Sequence, residues 1–165
     1  MAFMSTSLTI SDYRKPRALL LLGALLLVVV GVGALIGVTT APGAWFASLV
    51  KPRFNPPSWV FAPVWFALYV LIAIAGWRTF LVAPRSTAMV LWVVQMLLNW
   101  AWSPVFFLAH LPWLALVIVS ALLMSICAFV STAWSEDKIS SILFMPYAAW
   151  VTFATYLNLS IASLN

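Results

Sequence analysis

Five long apolar runs, with charged residues only at or near their ends, constrain this chain more than any other feature. They cover about residues 18–38, 59–82, 87–108, 112–134 and 139–162. At ~1.5 Å of rise per residue, each is long enough as a helix to cross the ~30 Å hydrocarbon core of a bilayer. Hydrocarbon offers no partner to a backbone N–H or C=O, so a segment that crosses it must satisfy its own hydrogen bonds as a helix. The charge set furthest back from an end is Arg78, whose aliphatic stem lets the guanidinium reach the headgroups. Hydrophobic residues make up 65% of the chain and charged residues 7%, and a soluble helical bundle needs polar outer faces that these runs lack. The expected fold is an all-α integral membrane protein, a five-transmembrane-helix bundle forming a single domain over 18–165.

Residues 1–17 are polar, end in Arg14, Lys15, Pro16 and Arg17, and are expected to form a mobile tail. The first run follows basic residues as a signal peptide would, but it is too long and has no clear small-x-small cleavage site, so it reads as a retained helix. Gly33 and Gly37 form a GxxxG pair beside Gly31, a face where another helix of the bundle, or of a second copy, can approach closely. Residues 39–58 are the longest stretch that does not span. Within them, Pro42–Val50 carries Trp45, Phe46 and Leu49 and suits a short interfacial helix opened by Pro42. Pro104 and Pro146 are expected to bend the third and fifth spans. The other connections are short, so consecutive spans are expected to be antiparallel neighbours. Arg14, Lys15, Arg17, Arg78, Arg85 and Lys138 fall on the N-terminal side, against Lys51 and Arg53 on the other. The positive-inside rule then puts the N-terminus in the cytoplasm and the long loop outside.

Several function classes fall away. The net charge of +5 comes from scattered residues at the ends of apolar runs, which argues against a nucleic-acid partner. Cys127 is the only cysteine, so no intrachain disulfide exists. Ion-coupled transport relies on carboxylates or cations inside spans, and these spans carry none well inside. No HExxH, CxxCH or His/Cys/Asp cluster marks a metal site or covalent haem attachment. His110 stands alone beside Leu111 and Pro112 and reads as a loop residue, with no partner to orient it as an axial ligand.

Three patterns remain. Pro52, Pro56 and Pro57 stiffen the segment that starts at Lys51. Just after it, Phe61, Trp65 and Tyr69 follow at i, i+4 and i+8, putting three rings on one helical face. The third span repeats at three and four residues through Trp92, Gln95, Asn99, Trp102 and Phe106, and the fifth through Tyr147, Trp150, Ala154 and Asn158. An amide in hydrocarbon needs partners, so Gln95, Asn99 and Asn158 should face inward. Two readings stay open: these residues glue helices together, or they line a pocket with aromatic walls and a few orienting polar groups, in which the small Ala154 leaves space.

Lys51-Pro…Asn55-Pro-Pro-x-Trp-Val-Phe…Val64-Trp-x-x-Leu-Tyr69, Gln95-x-x-x-Asn99-x-x-Trp102-Ser-x-x-Phe-Phe107 and Pro146-Tyr-x-x-Trp150-x-x-x-Ala154-x-x-Leu-Asn158 together resemble the TspO/MBR family of tryptophan-rich sensory and translocator proteins. The resemblance implies a five-helix membrane protein, a homodimer, in a bacterial cell membrane. It implies a cavity beneath the first loop that takes a porphyrin, protoporphyrin IX or haem, without covalent attachment. Carried over position by position, the ligand-binding residues are Phe61, Trp65, Tyr69, Asn99, Trp102, Trp150 and Ala154, beneath a lid of Lys51, Arg53, Phe54, Pro56 and Pro57. Relatives often have a tryptophan where this chain has Arg53, which removes a lid ring and adds a cation able to pair with a porphyrin propionate. Nothing basic follows Tyr156, so the sterol motif of animal members is not matched. The resemblance points to a binding and sensory protein without catalytic residues. The alternatives are an enzyme promoting light-dependent protoporphyrin degradation and a passive transporter.

Overall fold

Pro16 opens the first helix, because its fixed φ suits a first turn and its missing N–H would have had no partner there. The structure is a computed structural model and describes residues 13–165. Its α-helices are α1 (Pro16–Thr39), α2 (Ala44–Ser48), α3 (Phe61–Val82), α4 (Thr87–Phe107), α5 (Pro112–Glu136) and α6 (Lys138–Leu164), with a 3-10 turn at Ser58–Val60 leading into α3. Five of them are long and apolar enough to cross a membrane, and α2 lies in the first connection. The protein is a multi-pass integral membrane protein with an all-α, five-span architecture. Residues 1–12 of the expected tail lie outside the described residues. The remainder is not free: Pro16 and Arg17 are helical, and Tyr13 sets its ring edge-on to Trp77 at 5.4 Å.

The ends follow local chemistry. Ser86 caps α4 by accepting from the Met89 N–H at 3.2 Å, and Asp137 caps α6 by accepting from the Ile139 N–H at 3.2 Å. Pro63 is the third residue of α3, where its missing N–H costs no helical bond. Both α4 and α6 continue through their internal prolines, Pro104 and Pro146. At the far end of α4 the chain reverses through His110 at φ 58°, the left-handed turn that commonly closes a helix, and Pro112 then starts α5.

The order around the bundle is α1, α3, α6, α5, α4. This corrects the expectation that every pair of consecutive spans packs together, because α3 and α4 meet only lightly. Near their connecting loop they do touch: the Trp92 indole N–H donates to the Ile72 carbonyl at 2.9 Å. Gly76 makes that approach possible, since a Cβ there would overlap the indole ring. Farther from the loop, Trp65 and Tyr69 on α3 and Trp102 on α4 hold the two helices apart and the space between them stays open.

The six basic residues of the N-terminal side share one end of the bundle, tied by polar contacts across helices. The Trp77 N–H donates to the Ala18 carbonyl at 2.7 Å. The Arg78 guanidinium grips Asp137 through two bonds of 2.8 Å each, and Ser140 donates to the same carboxylate at 2.7 Å. Burial alone would raise the Asp137 carboxyl, but the hydrogen bonds from Arg78 and Ser140, the Arg78 charge and the Ile139 N–H outweigh it and hold the group below the usual carboxylate range. A depressed carboxyl stabilises the fold above its unfolded pKa of about 3.9, and that contribution is lost as the pH falls through the folded value. The melting temperature in detergent should therefore fall below about pH 4. Asp137→Asn should cost about 1–2 kcal/mol at pH 7 and blunt the acid-side fall. A D137N protein that melts like the parent at pH 7 would show the pair to be idle.

A candidate ligand cavity between three helices

The space between α3 and α4 is a cavity of about 520 Å³, within the range of small-molecule sites, and α1 closes its third side. Spacing explains the α3 wall. Phe61, Trp65 and Tyr69 recur every four residues, and all three line the cavity. Trp65 stacks on Tyr69 with centroids 5.4 Å apart. From α4 come Asn99, Trp102, Ser103 and Phe107, and from the first connection Pro42, Phe46, Asn55, Pro56 and Ser58. Among the described residues, no Asp, Glu, His, Cys, Lys or Arg lines the cavity.

A chain of hydrogen bonds fixes the floor. The Tyr69 hydroxyl donates to the Asn99 carbonyl oxygen at 3.0 Å, and the Asn99 amide donates to the Tyr147 oxygen at 2.8 Å. Tyr147 then donates to Gln95 at 3.0 Å, and Gln95 to the Trp92 carbonyl at 2.9 Å. Alongside, the Trp102 N–H donates to Asn158 at 2.9 Å, and Asn158 to the Pro112 carbonyl at 2.8 Å. The two sequence readings of the amides therefore divide. Gln95 and Asn158 bind helix to helix away from the large cavity, whereas Asn99 does so while also facing it.

Of the residues carried over from the resemblance, Phe61, Trp65, Tyr69, Asn99 and Trp102 converge on this cavity, and Pro56 covers it. Ala154 instead lines a separate space of about 40 Å³, behind Phe61 and Trp102 and shared with Phe106 and Asn158. Trp150 lines neither space. Its ring lies edge-on to Phe61 at 5.7 Å, backing the wall rather than forming it. In the lid, the Lys51 ammonium donates to the Ala47 and Leu49 carbonyls at 3.2 and 3.0 Å and sits 4.7 Å over the Phe46 ring, so it closes the end of α2. Arg53, Phe54 and Pro57 are exposed and line neither of these two spaces.

What sequence reasoning missed is the α1 wall: Val30, Gly33, Ala34, Ile36, Gly37, Val38 and Thr40. The signal lies in Gly33 and Gly37, whose spacing alone reads as a helix-packing pair. Gly33 in fact makes room for a side chain, because a Cβ there would overlap the Tyr69 ring, while one at Gly37 would meet nothing. Thr40 ties the top of α1 to α4 by sharing a hydrogen bond with Ser103 at 2.6 Å.

A family model described as the TspO/MBR family matches residues 24–164. Protein CrtK of Rhodobacter capsulatus is 38% identical over 133 residues, covering 78% of this chain and 83% of that protein. The tryptophan-rich sensory protein of Cereibacter sphaeroides is 33% identical over 135 residues, covering 82% and 85%. The translocator protein of Homo sapiens is 39% identical over 126 residues, covering 69% and 70%.

Tyr69 is held by Trp65 and Asn99 and cannot yield freely to a new methyl group. Gly33→Ala should therefore cost about 1–3 kcal/mol. Gly37→Ala should be neutral or stabilising by up to about 1 kcal/mol, since alanine is the better helix former and its Cβ enters open space. Thermal melting of the two variants side by side checks this, and equal stability would contradict the close fit of Tyr69 under α1.

Proposed function

The chain belongs to the TspO/MBR family, and from that membership we propose that it is a membrane sensory protein that binds a porphyrin-type tetrapyrrole in the cavity between α1, α3 and α4. One observation carries the reading: about 520 Å³ walled by the rings of Phe61, Trp65, Tyr69 and Trp102, with few polar groups. A tetrapyrrole is flat and largely apolar, so it gains by leaving water for such walls, and offset stacking on indole and phenol rings adds to that gain. Its carboxylates need a polar exit. Asn55 and Ser58 line the cavity's loop side, and the exposed Arg53 guanidinium, which makes no hydrogen bond or ion pair among the described residues, stands in the same loop to meet a propionate.

Binding is favoured over catalysis by the lining itself. With no carboxylate, imidazole or thiol of the described residues facing the cavity, proton transfer falls to Tyr69, whose hydroxyl is already committed to Asn99. Light-driven loss of the porphyrin would then have to run through the ligand's own excited state against Trp65. The proposal extends to a homodimer. A Cβ added at Gly23 or Gly31 on α1 would meet nothing among the described residues, the kind of surface on which a second helix approaches closely.

Titrating the protein in lipid nanodiscs with protoporphyrin IX should quench tryptophan fluorescence saturably. Trp65→Ala should weaken the affinity about tenfold, equivalent to ~1.4 kcal/mol. Trp150→Ala, behind the wall, should have a smaller effect, and Arg53→Ala should weaken protoporphyrin more than its dimethyl ester. Absence of saturable binding by the parent protein would overturn the reading.

A further inference from the structure

The cavity has one wall that faces outward. On its α1 and α3 sides, Val38 is 78% exposed and Phe66 60%. Ala34 and Ala62 are exposed as well, whereas every lining residue of α4 is buried or half-buried. Exposure that large on Val38 and Phe66 is not spent on the cavity alone, so both residues stand at the boundary between cavity and hydrocarbon.

Nothing bolts that boundary shut. Toward the basic end, α1 and α3 are joined by the Trp77–Ala18 bond and by Tyr69 fitted under Gly33. At its top, α1 turns to α4 through Thr40 and Ser103. Between residues 34–38 and 62–66 the described residues make no hydrogen bond or ring contact. Phe66 is also singular among the rings that line the cavity. The others are each stacked or edge-on against a neighbouring ring, and among the described residues Phe66 has no ring partner.

The loop above is tied down by contrast. Trp45 of α2 stacks on His110 at 4.1 Å. The side-chain amide of Asn165 brackets Val50, accepting from its N–H at 3.0 Å and donating to its carbonyl at 3.1 Å. Lifting the loop would break these contacts together, whereas swinging one unpartnered ring breaks none.

We propose that the cavity is loaded sideways from the bilayer, through a portal between the halves of α1 and α3 nearer the loop, with Phe66 as its moving part. The proposal rests on the tetrapyrrole reading: a flat apolar ligand concentrates in the acyl region, which is then its reservoir. Small side chains at Ala34, Gly37 and Ala62 keep the passage wide, so its rate is set by the one large residue in it.

The test is stopped-flow absorbance of protoporphyrin IX binding to the protein in nanodiscs, comparing the parent with Phe66→Ala and Ala62→Trp. A portal predicts that Phe66→Ala raises the association and dissociation rates together, by about threefold or more, and that Ala62→Trp lowers both. A residue that only lines the wall changes dissociation and leaves association as it was. Association rates unchanged in both variants would overturn the portal while leaving the binding site standing. If melting shows that Ala62→Trp does not fold, Ala34→Leu obstructs the same passage from the facing helix. A parent protein that binds no protoporphyrin at all overturns the tetrapyrrole reading, and the portal with it, before any variant is compared.

Discussion

A polar group inside a hydrocarbon-embedded bundle is costly without a protein partner, and that cost shapes the floor of this protein's cavity. The hydrogen-bonded run from Tyr69 through Asn99, Tyr147 and Gln95 to the Trp92 carbonyl offsets it across three helices. Each link fixes a separation: α3 to α4 by Tyr69 and Asn99, α4 to α6 by Asn99, Tyr147 and Gln95. Because Tyr69 is held at its hydroxyl and stacked on Trp65, α1 can close over it only through Gly33. The cavity is the space left when these distances are satisfied. Rings then line it because the α3 and α4 positions facing it carry them.

The same economy shapes the two ends. At the basic end an ion pair, the Trp77 indole and a serine bind α1, α3 and α6 together, giving the bundle a fixed base. At the other end the contacts run from the loop to α4 and α6, through Trp45, Val50 and Thr40. The gap between α1 and α3 on that side is left to apolar contact alone. A bundle tight at one end and selectively tied at the other would let a cavity exchange its contents without loosening the fold.

Much of this was legible in the sequence. The spans could be read because length and apolarity are local properties. The α3 wall could be read because Phe61, Trp65 and Tyr69 sit at helical spacing, and the inward amides because hydrocarbon leaves them no alternative. Neighbour order could not. Short loops imply contact between consecutive spans, yet the rings of Trp65, Tyr69 and Trp102 keep α3 and α4 apart, and only the packed structure reveals that. For the same reason Trp150 was placed on the wall when it lies behind Phe61, and Gly33 was read as room for a backbone when it is room for Tyr69. Lys51 was expected at the mouth, and it closes α2 instead because two free carbonyls lie within its reach.

The central claim is that the ring-lined space between α1, α3 and α4 is where the ligand sits. A structure of the protein in lipid nanodiscs with protoporphyrin IX tests it most directly. The account predicts the macrocycle against Trp65 and Tyr69 on one side and Trp102 on the other, with its carboxylates toward Asn55 and Arg53 and the Tyr69–Asn99–Tyr147 bonds intact. A macrocycle lodged between α5 and α6, or lying on the outer surface with the cavity unchanged, would contradict it.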